Sequence, residues 1–484
     1  MKTTTVQRTN VILQPDRTRV LLRPFLLVND ERACKICAQV LALPESEVHA
    51  LWEQVRAEFS ERHAKTREFL QRRFEQVRHC LPAGRKISEE RQLLLGAHFS
   101  HEYSLEAAAL FNPSIVPHPD QSDLPPDTLR FILSLRATGE GHISSITFRT
   151  GFLDAGNNIK INAPTRYCLE PEQMPCVSYE KELFERKLQE LGLAGDSSRK
   201  VLEGLGDSFT LDELRAHADH AATQFQACDQ AAVAVANNIL TFAQSNYEVQ
   251  FAADSRLSER VLFPTTPAQR NGIEDARFVL FHNDDGTQTY YATYTAYDGR
   301  MILPQFIETP DFLHFKFITL NGPAVQNKGM ALFPRKINGQ YAMLGRQDYE
   351  NIYVMFSDHL HFWHTAQLLL QPKFPWEFIQ MGNCGSPIET EAGWLVISHG
   401  VGALRKYCIG AFLLDLADPT KVIGRLREPL ITPNENEREG YVPNVVYSCG
   451  SFLHGRQLII PYAMSDYATT FATLPLDDVL AAME

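Results

Sequence analysis

A pattern of turn and strand recurs along this sequence and limits the folds that are open to it. Each copy has a turn with Asp, Asn or Gly, followed by an aromatic-rich strand that ends in a polar residue. Five copies occur, in DTLRFILSLR, DGTQTYYATYT, NGQYAMLGR, AGWLVISHG and HGRQLIIPYAMSD. The anchors of the last four, Tyr290, Tyr341, Trp394 and Leu458, lie roughly 50 to 65 residues apart, which is the length of a four-stranded propeller blade. This spacing predicts a mainly β chain folded as a five-bladed β-propeller, and favours that fold over a β-sandwich.

Two stretches have helical instead of strand periodicity. Residues 44–80 place apolar side chains such as Leu51 and Val55 on one face of a helix, and residues 178–245 are rich in Ala and Leu. The second stretch accounts for about 100 extra residues between the first and second copies of the repeat. We therefore predict two domains with one insertion: an N-terminal, mostly helical region at 1–105 and a propeller at 106–484 with a helical insertion at about 152–250.

Charge and cysteine content limit the classes of partner. The 484 residues carry 46 Lys and Arg against 58 Asp and Glu, a formal charge of −12, without a basic run, which argues against nucleic acid. The odd number of cysteines, nine, is typical of reduced thiols, and the lone CxxC at Cys34 and Cys37 lacks further ligands at metal spacing. Because no apolar leader precedes Asp16 and no 18-residue apolar stretch occurs, we expect a cytoplasmic protein without membrane contact.

In a propeller, the polar residues that end equivalent inner strands converge on one central funnel. We expect five such residues to meet there: Arg136, Asp275, Arg346, His399 and Asp466. The densest segment holds Glu274, Asp275 and Arg277 ahead of an apolar strand. Partial desolvation raises the pKa of a carboxyl group and suits it to general acid catalysis, whereas a neighbouring arginine lowers that pKa. A structural ion pair between Asp275 and Arg277 is the alternative.

A second group of residues suits an anion. Lys328 follows a tight turn and Arg346 ends the next strand, so both are able to point inward and bind a negatively charged group. The segment that follows supplies Glu389, His399 and Tyr407. Glycosidic chemistry usually needs two carboxylates, and three are candidates for the role of partner to the acid: Glu274, Glu389 and Asp466.

Seven segments together resemble one family. In order they are GIEDAR, YYATYTAYDG, ALFPRKINGQYAML, SPIETEAGWLVISHGV, GAFLLDLADPTKVI, GYVPNVVY and PYAMSD. They are similar to segments of the β-mannoside phosphorylases and mannosidases of glycoside hydrolase family 130, over about residues 110–480 without the insertion. That family has a five-bladed propeller and is typified by inverting phosphorolysis of β-mannosides to α-mannose 1-phosphate. In it, one aspartate acts as the acid through a sugar hydroxyl.

The resemblance implies a role for each matching residue. Asp275 falls in the family's E-D-P-R motif and takes the role of the acid, although Ala276 replaces the usual proline. The residues implied to bind the sugar are Asn112, Arg136, Glu274, Arg277 and Asp466. The residues implied to bind phosphate are Lys328, in place of an arginine, and Arg346, His399 and Tyr407.

Glu389 leaves two enzymatic alternatives open. It stands where phosphorylases of the family often carry a lysine, and it would repel phosphate. In an inverting hydrolase the same carboxylate would be the base that activates water. The matches at Lys328, Arg346 and His399 outweigh this one residue, so we expect a β-mannoside phosphorylase. A β-mannoside hydrolase with Glu389 as base is the first alternative, and a non-catalytic glycan-binding propeller is the second.

The expected partners are a β-mannoside oligosaccharide and inorganic phosphate. We expect no metal and no organic cofactor, because neither a glycine-rich phosphate loop nor a metal-ligand cluster occurs in the sequence. The amphipathic faces of the two helical stretches must be buried somewhere. They either line the funnel, where they would limit substrate length, or pack against a second copy in a homo-oligomer.

Overall fold

The computed structural model describes residues 6–27, 29–82, 84–174, 178–224, 230–299 and 302–484. Within these ranges the chain is mainly β, and most strands form five antiparallel units that follow one another along the chain. We call these units the first to the fifth sheet. The first and second are joined at one edge by a single parallel pair, Gly272 with Ser144.

The strands of the five sheets have the following bounds. The first sheet contains Ala109–Pro117, Leu129–Thr138, Ser144–Leu153, Ile159–Ile161 and Val261–Leu262. The second contains Gly272–His282, Gln288–Tyr297, Ile302–Thr309, His314–Thr319, Tyr247–Gln250 and Glu172–Gln173. The third contains Ala331–Leu332, Tyr341–Gly345, Ile352–Ser357 and Gln367–Leu370. The fourth contains Gln380–Asn383, Ile388–Thr390, Gly393–Val401, Tyr407–Leu414 and Val422–Arg425. The fifth contains Val446–Tyr447, Phe452–His454, Gln457–Met464, Ala468–Pro475 and Gln7–Leu13.

The α-helices of the described ranges fall mostly in two groups. Those of the N-terminal stretch are Asp30–Ala42, Glu45–Phe59, Thr66–Val77 and Glu89–His98. Those of the insertion are Lys181–Glu190, Asp196–Leu202, Leu211–Gln224 and Gln230–Gln244, and a short helix, Leu476–Ala481, ends the chain. Two small antiparallel sheets of two strands each accompany these helices, Val20–Pro24 with Ser100–Ser104 and Ser178–Glu180 with Ser208–Thr210. None of these helices is long and apolar enough to cross a membrane.

The first described residues form a strand and not a helix. Gln7–Leu13 pairs with Ala468–Pro475 as the outer strand of the fifth sheet, although we predicted a mostly helical region from residue 1. The local signal is an alternation in which Thr9, Val11 and Leu13 are half-buried and the residues between them are exposed. Residues 1–5 lie outside the described ranges. The division of the chain at 105 and at about 152–250 stays a prediction.

Aromatic and aliphatic side chains join each sheet to the next. Pairs of aromatic rings join consecutive sheets. Phe148 of the first sheet and Phe278 of the second have ring centroids 6.1 Å apart, and Phe281 of the second and Tyr341 of the third 5.6 Å. Phe333, next to a strand of the third sheet, lies 5.1 Å from Trp394 of the fourth. The fourth and fifth sheets share one apolar cluster that includes Leu395 and Leu458. The fifth sheet also contacts the first, because the ring centroids of Phe471 and Phe131 lie 6.4 Å apart.

A buried charge cluster ties the N-terminal segment to the first sheet. Nε of Arg19 lies 2.9 Å from Oε1 of Glu106, and Nη2 of Arg149 lies 2.7 Å from the same oxygen. All three side chains are almost fully buried. Removing one partner would leave an uncompensated buried charge, so this cluster fixes how the N-terminal stretch enters the sheet.

Candidate active site

Asp275 lies in an irregular part of the first strand of the second sheet, Gly272–His282. The register of this strand slips between Glu274 and Arg277, and such a β-bulge re-aims the side chains within it. Asp275 has a left-handed φ of +54°, which is uncommon for a residue other than glycine. The local backbone thus presents this carboxylate differently from the other side chains of the strand.

Asn112 and Asp466 share this backbone conformation, with φ values of 49° and 50°. Asn112 lies in a second bulge, between Phe111 and Ser114 of the first sheet, and Asp466 lies in the turn after the strand Gln457–Met464. Left-handed residues other than glycine cost free energy and concentrate at functional sites. The predicted acid and two of the residues predicted to bind the sugar carry this feature.

The structure brings the predicted acid and its predicted neighbours together. Oδ1 of Asp275 accepts hydrogen bonds from Nδ2 of Asn112 at 2.7 Å and from Nη1 of Arg136 at 3.3 Å. Nη2 of Arg136 also donates to Oε1 of Glu274 at 2.7 Å. On the other side of that glutamate, Nζ of Lys328 lies 3.8 Å from Oε2. Two carboxylates and two cations thus form one connected cluster.

The charges around Asp275 determine the direction in which its pKa is shifted. Burial of this carboxylate acts to raise its pKa, but the positive charges of Arg136, Lys328 and Arg277 outweigh burial and lower the pKa to about 2. The carboxylate is therefore ionised at neutral pH in this arrangement, and burial alone does not prepare it to donate a proton.

Asp466 shows the opposite behaviour. Burial raises its pKa to about 6, Arg136 opposes this shift, and the negative charge of Asp275 adds to it. The two aspartates are close enough to interact electrostatically, and Arg136 interacts with both. One proton is therefore held more readily on Asp466 than on Asp275 in the unliganded site.

Arg277 connects this cluster to the neighbouring sheets. Its Nη1 donates to the backbone carbonyl of Asp275 at 2.9 Å, and its Nη2 donates to the hydroxyl of Tyr447 at 2.6 Å. Its Nε donates to Oδ1 of Asn383 at 3.2 Å. Tyr447 and Asn383 were missed by the sequence analysis. Tyr447 ends the family-like segment GYVPNVVY, which could have drawn attention to it, whereas Asn383 lies in MGNCGSP without a distinctive signal.

Three of the four residues predicted to bind phosphate, Arg346, His399 and Tyr407, form a second cluster, whereas Lys328 lies in the first. Nη1 of Arg346 lies 3.3 Å from Nε2 of His399, and the ring of Tyr407 stacks on His399 with centroids 5.8 Å apart. Burial lowers the pKa of His399 well below its usual value, and the charges of Arg346 and Arg277 act in the same direction. The imidazole is therefore neutral. Because an arginine can only donate, Nε2 of His399 accepts.

Two buried polar atoms, one in each cluster, make no hydrogen bond to any described residue. They are Oδ1 of Asn112, an acceptor beside Asp275, and Nε of Arg346, a donor beside His399. A buried polar atom without a partner costs free energy. A ligand hydroxyl would satisfy the first atom and an anion oxygen would satisfy the second.

Glu389 does not belong to either cluster. Its carboxylate pairs with Arg335 through hydrogen bonds of 2.6 and 2.8 Å at the surface, and Arg335 forms a β-bridge with His282. His282 ends the strand that carries Asp275 and lies seven positions after it. Along an extended strand the two residues are therefore about 23 Å apart. Glu389 thus meets neither cluster in this structure, and its role as the base of a hydrolase stays a prediction. Within the ranges that the structure describes, no group of three or more His, Cys, Asp or Glu side chains is arranged to hold a metal ion.

A family model described as β-1,4-mannooligosaccharide phosphorylase matches residues 231–484. The 1,2-β-oligomannan phosphorylase of Thermoanaerobacter sp. (strain X514) is 38% identical over 232 residues, which cover 46% of this chain and 75% of that protein. The β-1,2-mannobiose phosphorylase of the same organism is 36% identical over 218 residues, which cover 44% and 69%.

Among solved structures, the β-1,2-mannobiose phosphorylase of Listeria innocua in complex with β-1,2-mannobiose has 21% sequence identity, covers 78% of this chain and 92% of its own, and gives a TM-score of 0.47. The family model and the relatives agree with the resemblance drawn from the sequence motifs. This chain belongs to glycoside hydrolase family 130 and is an enzyme.

Proposed function

We propose that this enzyme cleaves β-linked manno-oligosaccharides by inverting phosphorolysis and releases α-mannose 1-phosphate. The observation that carries the proposal is the pair of unsatisfied buried atoms, an acceptor on Asn112 and a donor on Arg346. The first suits a sugar hydroxyl and the second suits a phosphate oxygen. The two relatives with 36% identity or more are named for 1,2-linked mannosides, so we also propose a β-1,2 linkage, although the family model is described by a β-1,4 activity.

On the sugar side, five residues surround the mannosyl unit that is cleaved. Arg136 holds Glu274 and Asp275 in place through two hydrogen bonds. Hydroxyl groups of the sugar donate to Oδ1 of Asn112 and to the carboxylate of Asp466. Arg277 acts on this half through the backbone of Asp275. The chain thereby orients the sugar before the glycosidic bond breaks.

On the phosphate side, Lys328 and Arg346 supply positive charge and hydrogen-bond donors, and the hydroxyl of Tyr407 is a further donor. His399 is neutral and accepts from Arg346, so it orients that guanidinium and does not add charge. Charge-assisted hydrogen bonds from arginine to a phosphate are among the stronger polar contacts in proteins. Because Nε of Arg346 makes no hydrogen bond to a described residue, no protein acceptor competes with phosphate for this donor.

Phosphate binding prepares Asp275 to act as the acid. In the unliganded site three cations hold the pKa of Asp275 at about 2. A phosphate dianion beside Lys328 neutralises part of this positive charge, which raises the pKa and allows Asp275 to take up a proton. The proton then passes through a sugar hydroxyl to the leaving glycosidic oxygen, while phosphate attacks the anomeric carbon from the opposite face.

We further propose that the five sheets close into a five-bladed propeller around this site. The proposal is supported by the contacts from each sheet to the next and from Phe471 of the fifth to Phe131 of the first. The roles of the helical stretches in substrate length or self-association, and the cytoplasmic location, stay predictions.

The function is tested by incubating the purified protein with β-1,2-mannobiose or β-1,4-mannobiose, each with and without phosphate. We expect rapid consumption of the 1,2-linked disaccharide only when phosphate is present. Faster consumption of the 1,4-linked disaccharide would reassign the linkage and leave phosphorolysis in place. Consumption of either at the same rate without phosphate would contradict phosphorolysis.

Glu389→Gln is expected to leave phosphorolysis unchanged within about twofold, because Glu389 pairs with Arg335 at the surface and an exposed ion pair contributes at most about 1 kcal/mol to stability. The measurement is the initial rate of mannose 1-phosphate formation, with free mannose followed in phosphate-free buffer. A loss of activity of about 100-fold or more would return Glu389 to the active site and restore the hydrolase alternative.

The pH dependence of kcat/KM for the mannoside should report Asp466. Its pKa is raised to about 6, so the carboxylate is protonated below that pH and loses an acceptor for the sugar hydroxyl. We expect kcat/KM to fall about tenfold per unit as pH decreases below about 6, and to be level above it until other groups titrate. At saturating phosphate, Asp466→Asn should remove this acidic limb. An acidic limb that persists unchanged in Asp466→Asn would assign it to another group.

A further inference from the structure

Asn383 lies between the two halves of the site and is 1% exposed. It ends the strand Gln380–Asn383 of the fourth sheet, in which Gly382 pairs with His399. A Cβ at Gly382 would lie 2.6 Å from Cε1 of His399 and 3.4 Å from Cδ of Arg346. The backbone that carries Asn383 is thus packed directly against the anion half.

The amide of Asn383 reaches two other segments. Its Oδ1 accepts from Nε of Arg277 at 3.2 Å and from the backbone N–H of Gly385 at 3.2 Å. Its Nδ2 donates to the backbone carbonyl of Gly329 at 2.6 Å. A side-chain amide offers two donors and two acceptor sites, so three of its four hydrogen-bonding positions are used within the protein.

Two of these contacts lead to residues of the proposed reaction. Arg277 continues to the backbone carbonyl of Asp275, where it supports the left-handed conformation of the acid. Gly329 directly follows Lys328 and has a φ of +84°, so the hydrogen bond to its carbonyl holds the turn that carries the lysine. The buried amide of Asn383 is therefore linked both to the backbone of Asp275, through Arg277, and to the turn that follows Lys328.

We propose that Asn383 is a positioning residue that sets the placement of Asp275 relative to Lys328. It acts through Arg277 on one side and through Gly329 on the other, and it does not contact substrate. This inference rests on the proposed function and deepens it, because it links the proton donor to phosphate binding. Since a displacement of about 1 Å can cost about 100-fold in rate, loss of this amide should affect both halves of the reaction together.

The test is Asn383→Ala in the full-length protein, with kcat, the phosphate KM and the mannoside KM measured separately. We expect kcat to fall about 10- to 100-fold and the phosphate KM to rise about tenfold, with the mannoside KM changed less than about threefold.

Tyr447→Phe is the matched control, because it removes only the hydroxyl that accepts from Nη2 of Arg277. It should lower kcat and leave the phosphate KM near its wild-type value. Asn383→Asp, which keeps the size and the acceptor for Arg277 but loses the donor to Gly329, should raise the phosphate KM more than it lowers kcat. It also serves if the alanine variant does not fold, as judged by circular dichroism.

Two results would overturn the inference. The first is an Asn383→Ala protein whose kcat and phosphate KM, normalised to folded enzyme, equal those of wild type. The second is an equal rise of the phosphate KM in Tyr447→Phe and Asn383→Ala, which would leave the Gly329 contact without a role. Failure of the proposed function is distinct from both, since the wild-type protein itself would then cleave mannosides at a rate independent of phosphate.

Discussion

Asp275→Asn is expected to lower kcat by about 10²- to 10⁴-fold. The amide keeps the size of the side chain and its contact with Arg136, but it cannot take up and deliver a proton. Binding of the mannoside should persist, because Asn112, Glu274 and Asp466 are unchanged. The measurement is steady-state phosphorolysis at saturating phosphate, with mannoside binding followed by calorimetry.

The matched control for this variant is Asp285→Asn. Asp285 is an exposed turn residue of the same sheet that accepts hydrogen bonds from Thr287, and its replacement should leave kcat unchanged. Near-normal turnover of Asp275→Asn would remove the acid from this position. A larger loss in Asp466→Asn than in Asp275→Asn would instead move the role of acid to Asp466, whose pKa of about 6 holds a proton more readily.

Arg346→Ala is expected to disable the phosphate half selectively. Its guanidinium makes charge-assisted hydrogen bonds in a buried setting, and loss of one such group costs about 2 to 4 kcal/mol, which corresponds to a rise of about 30- to 1000-fold in the phosphate KM. Affinity for the mannoside should change little, because Arg346 contacts His399 and not the carboxylate cluster. Initial rates over a range of phosphate concentrations give the result.

Arg335→Ala provides the matched control for the loss of an arginine. Arg335 pairs with Glu389 at the surface and should be replaceable without a change in the phosphate KM. If Arg346→Ala raised the mannoside KM and left the phosphate KM unchanged, the assignment of the two halves would be reversed.

The sequence motifs predicted which residues meet in the site, but they did not predict the pKa values of those residues. The segment GIEDAR placed Asp275 next to Glu274 and Arg277, and the equivalence of strand ends predicted that Arg136 would meet them. The sign of the shift in the pKa of Asp275 was not predictable, because it depends on the distances of three cations from three parts of the chain.

Long-range pairing explains the other differences between prediction and structure. Glu389 shares a motif with His399, yet its strand turns to the surface, where Arg335 comes from another sheet. The strand Gln7–Leu13 depends on a partner more than 450 positions away, Ala468–Pro475. Neither partner leaves a signal in the local sequence, whereas the turn and strand pattern within each repeat is local and predicted a mainly β chain.

The most direct test of phosphorolysis is the identity of the first product. Wild-type protein is incubated with β-1,2-mannobiose and inorganic phosphate, and the products are followed by ³¹P and ¹H nuclear magnetic resonance. We predict that α-mannose 1-phosphate appears in step with loss of the disaccharide and that the reaction stops when phosphate is omitted. Free mannose formed at an unchanged rate in phosphate-free buffer, with no sugar phosphate when phosphate is present, would contradict the account.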